Sequence, residues 1–141
     1  MSKYWLVTAA SGLVANLFAL RMGETFAQLR LPLFFPPVWL LFFGWTAAFI
    51  CLANAFVRVE EKSQKATTAF YVALGLTVCW SVLFFRADAH FAAALAGMMF
   101  TGVLLHLRVL ANTAGDGKRF LPCCIWVGYM TYLNLGICLI N

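Results

Sequence analysis

The chain is 141 residues long, 64% hydrophobic and only 11% charged, with a mean hydropathy of +0.88. A soluble domain carries about 25% charged residues, so this composition excludes an ordinary soluble domain and points to a membrane protein. The net charge of +5 comes from ten Lys and Arg residues scattered between apolar runs, which argues against a nucleic-acid surface and suits topology signals instead.

A hydrocarbon core about 30 Å thick needs roughly 20 apolar residues per helix. The sequence offers that length five times, at residues 4–20, 37–57, 66–85, 89–107 and 120–140, with charges marking the breaks. The reading is an all-α membrane protein, a bundle of five transmembrane helices forming one domain over residues 1–141. The backbone of each span satisfies its own hydrogen bonds, as lipid demands. The first run reaches Leu20 with no cleavage site followed by a polar mature domain, so it reads as a retained span and not a removed signal. Lys3, Arg58, Lys62, Lys65, Lys118 and Arg119 fall at one face of this bundle, and Arg21, Arg30 and Arg86 at the other. The positive-inside rule then places the N-terminus inside and the first connection outside.

That first connection is the long one. It ends in LPLFFPPVWLLFFGW, residues 31–45, with three prolines, two tryptophans and no charge. Proline fixes φ and lacks an N–H, which suits a helix's first turn, so a helix is expected to start at Pro36 and Pro37. Pro32 and the restriction on the residue before a proline, Phe35, are expected to hold the approach extended. Further on, Ala69, Ala73, Thr77 and Ser81, and then Ala89, Ala93, Gly97 and Thr101, recur at every fourth position. Small residues so spaced let helix backbones approach, either within the bundle or across a dimer. The five cysteines lie in apolar runs without CxxC spacing and read as small packing residues.

Three segments in this order carry a resemblance: Pro32, Pro36, Pro37, Trp39 and Trp45; then Trp80, Ser81, Leu83, Phe84 and Phe85; then Pro122, Trp126, Thr131, Tyr132, Leu133 and Asn134. Together they resemble the TspO/MBR family, the translocator proteins once called peripheral-type benzodiazepine receptors. The resemblance implies a five-helix bundle, often a homodimer, with a porphyrin or sterol pocket under the first connection. It implies binding of tetrapyrroles such as protoporphyrin IX, and, for bacterial members, a proposed light-dependent breakdown of the porphyrin. The implied ligand-binding set in this chain is Pro36, Pro37, Trp39, Trp45, Thr77, Trp80, Phe84, Trp126, Met130 and Asn134.

Several departures narrow the expectation. Thr25 and Phe26 stand where the family commonly has a Trp-Tyr pair, Ala73 and Thr77 replace a Gln and an Asn, and Cys123 follows the proline in place of Tyr. Met130 occupies a position that is usually small, where it is expected to fill part of the cavity. No Lys or Arg follows Tyr132, so the cholesterol-type pattern is absent and sterol is the less favoured ligand.

The residues themselves fit a flat apolar ligand held by aromatic walls and a few polar groups. Trp39, Trp45, Trp80 and Trp126 are candidate walls, the ordinary alternative being core or interface-belt tryptophans. Arg21, Arg30 and Arg86 are the candidates to meet porphyrin propionates, since an Arg fork binds carboxylate bidentately; the alternative is a plain snorkelling anchor. His90 and His106 sit sixteen residues apart on one helix, about 24 Å along its axis, and cannot clamp one iron. No metal set converges by spacing, and the carboxylates all fall in connections, so hydrolytic and acid/base catalysis lack machinery. Asn16, Asn54 and Asn134 are costly in lipid and are expected to face the interior. The function expected is porphyrin binding, sensing or handling without a required cofactor, with light-dependent breakdown as the most an enzyme reading would claim. Transport of a hydrophobic solute and a structural role with a membrane partner are the alternatives.

Overall fold

The computed structural model describes residues 3–18, 22–58, 64–113, 115 and 117–141. Arg21, Glu60, Glu61, Lys62 and Asp116 therefore lie outside the described residues. Among the described residues there are six α-helices: α1 (Lys3–Phe18), α2 (Met22–Ala27), α3 (Val38–Val57), α4 (Gln64–Ser81), α5 (His90–Asn112) and α6 (Leu121–Ile140). A π-helical stretch, Val82–Arg86, continues α4, and a 3-10 turn, Gly117–Phe120, leads into α6. The described residues contain no strand.

Four of these helical segments are long and apolar enough to cross a membrane: Val38–Val57, Gln64–Arg86, His90–Asn112 and Gly117–Ile140. The described part of α1 has 16 residues, about 24 Å of helix, and falls short of that length. Around the bundle, α1 packs on α3, α3 on α6, α6 on α5, α5 on α4 and α4 back on α1, so the five long helices close a ring.

The observed bounds lie within one residue of the expected ones at α3 and α6 and within two at α4 with its extension, and differ most at α5. Pro37 sits just before α3 as its cap, with φ −57° and ψ 149°, and its carbonyl accepts from the N–H groups of Leu40 and Leu41. Residues 21–36 are not one irregular loop, because α2 forms within them. Nor is the approach to α3 wholly extended: Leu33 and Phe34 make a turn, with Phe34 left-handed at φ 63°. Helix α5 runs five residues beyond the expected Leu107, to Asn112. A charge such as Arg108 does not by itself break a helix. Backbone freedom does, and the break comes where Gly115 takes φ +84° and bare Gly117 lies against Asn112, an added Cβ coming within 2.8 Å.

Two aromatic cores fill the ring. At the end holding Arg58, Lys118 and Arg119, Phe56 and Phe70 stack at 4.0 Å with Tyr4 edge-on to both. At the other end, Phe26, Leu41, Trp80, Phe84, Met130 and Ile137 cluster, and Trp45 and Trp126 border both cores. Both small-residue stripes are used inside the chain, since Ala69, Ala73, Thr77, Ser81, Ala93 and Gly97 are all buried. At Gly97, α5 and α6 are joined by the hydroxyls of Thr101 and Thr131, 2.9 Å apart. Asn134 is buried as expected, whereas Asn16 and Asn54 are exposed in the monomer.

Candidate functional site

The first connection is fastened across the end of α6. The Asn141 carboxamide accepts from the Arg30 N–H and donates to the Arg30 carbonyl, both at 2.9 Å. The Tyr129 hydroxyl donates to the Phe34 carbonyl, and the Tyr132 hydroxyl reaches that of Leu33 at 3.4 Å. Pro32 lies against Gly136 so closely that a Cβ there would come within 2.7 Å of the proline ring. This clasp supports the left-handed turn at Phe34, a conformation that costs a non-glycine residue energy unless its surroundings hold it. Asn141→Ala removes a two-bond bridge, each bond worth about 1 kcal/mol. Amide exchange at Arg30 is expected to accelerate about tenfold, measured by hydrogen–deuterium exchange, with protection in α4 unchanged.

Beneath the clasp, the Val82–Arg86 stretch uses wider hydrogen bonds, Ala87 N–H to the Val82 carbonyl at 3.0 Å and Ala89 N–H to that of Leu83 at 2.9 Å. Such turns inside a helix recur at functional sites. Here the turn places Phe84 under Trp80 at 5.6 Å, nearly parallel, and Phe85 edge-on to Trp80 at 5.7 Å. Phe26 of α2 closes the same group from above, packing on Phe35, Phe84 and Phe85. His90 packs on the far side of Phe84 at 4.8 Å, so its place is the back of the aromatic wall.

The resulting cavity is about 30 Å³, lined by α1 (Gly12, Ala15, Asn16), α2 (Phe26), α3 (Leu41, Trp45, Phe49), α4 and its extension (Thr77, Trp80, Ser81, Phe85) and Met130 of α6. A smaller void of about 10 Å³ adjoins it, lined by Trp45, Trp80, Gly97, Phe100, Val127, Met130, Thr131 and Asn134. Trp45, Trp80 and Met130 thus form the partition between the two. Ser81 ties the wall to α1 by donating to the Ala15 carbonyl at 2.8 Å. Among the described residues, two indole donors remain unspent: Nε1 of Trp80 and of Trp126 are buried without a hydrogen-bond partner. Buried polar groups are ordinarily paired, so the Trp80 donor is notable in a cavity whose other polar lining residues are Asn16, Thr77 and Ser81.

Of the residues expected at the site, Trp45, Thr77, Trp80 and Met130 line the cavity, and Asn134 lines the adjoining void. Thr77 turns its hydroxyl back to the Ala73 carbonyl at 3.1 Å, and Asn134 donates to that of Met130 at 3.1 Å. Phe84 backs the wall. Trp126 stands edge-on to Trp45 at 6.4 Å, its ring laid over the bare backbone of Gly44. Pro36 and Pro37 border a separate outer cleft with Phe26 and Phe35. Trp39 is not brought to the cavity: it is 63% exposed and meets Phe43 on the outward side of α3. Arg30 and Arg86 are exposed, and Arg21 lies outside the described residues. Sequence reasoning missed Gly12, Ala15, Phe26, Leu41, Phe49, Ser81 and Phe85; of these, Ser81 and Phe85 carried a local signal, standing in the segment that begins at Trp80.

Known proteins resemble this chain along nearly its whole length. Protein CrtK of Rhodobacter capsulatus is 27% identical over 98% of this chain and 90% of its own length. The tryptophan-rich sensory protein of Cereibacter sphaeroides is 30% identical over 94% and 87%, and the translocator protein homolog of Schizosaccharomyces pombe 28% identical over 100% and 94%. The model of the TspO/MBR family matches residues 4–140. With its apolar helices, its three-tryptophan cluster and a family match over nearly its whole length, the chain belongs to the TspO/MBR family and is an integral, multi-pass membrane protein.

Proposed function

We propose that the protein spans the membrane five times, with α1 as the additional span, and binds a tetrapyrrole of the protoporphyrin IX type beneath the first connection, so as to sense or handle it. The observation that carries this reading is Trp80: 7% exposed, facing the cavity among Trp45, Phe26 and Phe85, with a buried N–H that nothing among the described residues accepts. An aromatic chamber with an unspent donor suits a flat, largely apolar ring bearing a few acceptors. A relative named for tryptophan-rich sensing supports the sensing half, and exposed Arg30 and Arg86 at the same end suit propionates.

Pockets for such ligands measure about 300–1,000 Å³, against about 30 Å³ here. Binding therefore requires opening, and the parts that must yield are Met130 and the clasped connection. Titration of purified protein with protoporphyrin IX is expected to quench tryptophan emission and shift the Soret band at micromolar ligand. No quenching and no shift would overturn the reading. Trp80→Phe keeps the wall and removes the donor, so affinity is expected to fall about tenfold, the worth of one good hydrogen bond. The melting temperature is expected to fall only modestly, the space left by the smaller ring being partly offset by the loss of an unsatisfied buried group. Light-dependent breakdown is a second step for the same complex, expected only if illuminated porphyrin bleaches faster with the wild type than with Trp80→Phe.

A further inference from the structure

At the far end of the bundle from Trp80, a groove of about 630 Å³ runs between α4 and α5, lined among others by Lys65, Thr68, Val72, Met99, Gly102 and His106. The two helices are antiparallel, and Lys65 to Val72 and Met99 to His106 each span seven residues, about 10 Å. Their polar ends therefore coincide, and so do their apolar ends. The groove is polar where it meets the basic end of the molecule and apolar toward the membrane's middle.

Gly102 opens this groove. A Cβ there would meet nothing within 4 Å, and the same is true of Gly75, on the Val72 face of α4 one turn on. Neither glycine serves a close approach among the described residues, although glycine weakens a helix interior. The notch is space kept for something outside the chain. Lys65, the cation in the groove's lining, at the end of the bundle that also carries Arg58, Lys118 and Arg119, favours an anionic occupant in a way a zwitterionic one does not match. A second copy related by a twofold axis along the membrane normal would bring these like-charged ends together.

We propose that the groove holds an anionic phospholipid of the surrounding bilayer, its phosphate between Lys65 and His106 and one acyl chain laid along Val72, Met99 and the Gly102 notch. Lys65 reaches the headgroup on its flexible stem, and His106 donates a ring N–H in either charge state. The site is separate from the tryptophan chamber and does not depend on what binds there.

Native mass spectrometry of the detergent-solubilised full chain, offered equal amounts of phosphatidylglycerol and phosphatidylcholine, tests this. The wild type is expected to retain phosphatidylglycerol preferentially. Lys65→Gln with His106→Ala should reduce that preference about fivefold or more, the worth of one interfacial cation. Gly102→Phe fills the notch and should abolish the retained lipid while leaving helix content, melting temperature and porphyrin quenching unchanged. Equal retention of the two lipids by the wild type would overturn the proposal, as would undiminished preference in the double variant. A change of subunit number in Gly102→Phe, in place of lipid loss, would assign the groove to a second copy and also overturn it.

Discussion

Gly44→Leu is expected to be the most disruptive single change in the bundle, lowering stability by about 3 kcal/mol or more, the upper range for overpacking. A Cβ at this position would lie 2.1 Å from the Trp126 ring, with two further ring atoms within 2.6 Å. The contact between α3 and α6 here is an indole lying on bare backbone, so a side chain forces the whole ring away. Trp126 also stands edge-on to Trp45 and packs on Tyr129, and moving it loosens both. Thermal unfolding of Gly44→Leu, Trp126→Ala and the double variant is the check. Making room should rescue the crowded variant, so the double is expected to lose at least about 1 kcal/mol less than the sum of the singles. Strict additivity would show that the crowding is relieved elsewhere.

Met130→Ala should separate stability from binding. Met130 is 4% exposed and lies between the cavity and the adjoining void. Its truncation merges them, and large-to-small changes at buried positions cost about 2–5 kcal/mol. The same truncation removes what a ligand must displace, so protoporphyrin IX is expected to bind more tightly even as the free protein melts earlier. The ligand should then raise the melting temperature of the variant more than that of the wild type. Affinity that falls along with stability would make Met130 a contact and not an obstruction.

Much of this was legible in the sequence because lipid leaves few options. Apolar runs bounded by charges bring α3, α4 and α6 within a few residues of their bounds, and the tryptophan segments hold the two indoles that line the cavity, Trp45 and Trp80. Trp39 was misplaced for a reason the sequence contains: six residues along a helix leave two side chains about 120° apart, so Trp39 and Trp45 cannot face one cavity. The contribution of α1 was hidden, because Gly12 and Ala15 show only absence of bulk, and their place beside Ser81 is a tertiary fact. Phe26 was noted as a departure and not as a wall, since nothing local tells that a short helix will lower it onto Phe84 and Phe85.

The π-helical stretch makes length, as well as composition, a determinant of the chamber. Val82–Arg86 accommodates one residue more than an α-helix would. Deleting a single residue there would restore ordinary spacing and return everything beyond by about 100°, the rotation per residue. Trp80 would stay in place with the two phenylalanines now three and four residues beyond it on its own face, while the start of α5 turned relative to it. A relative differing by one residue in this segment would keep the same letters and yet build a different floor.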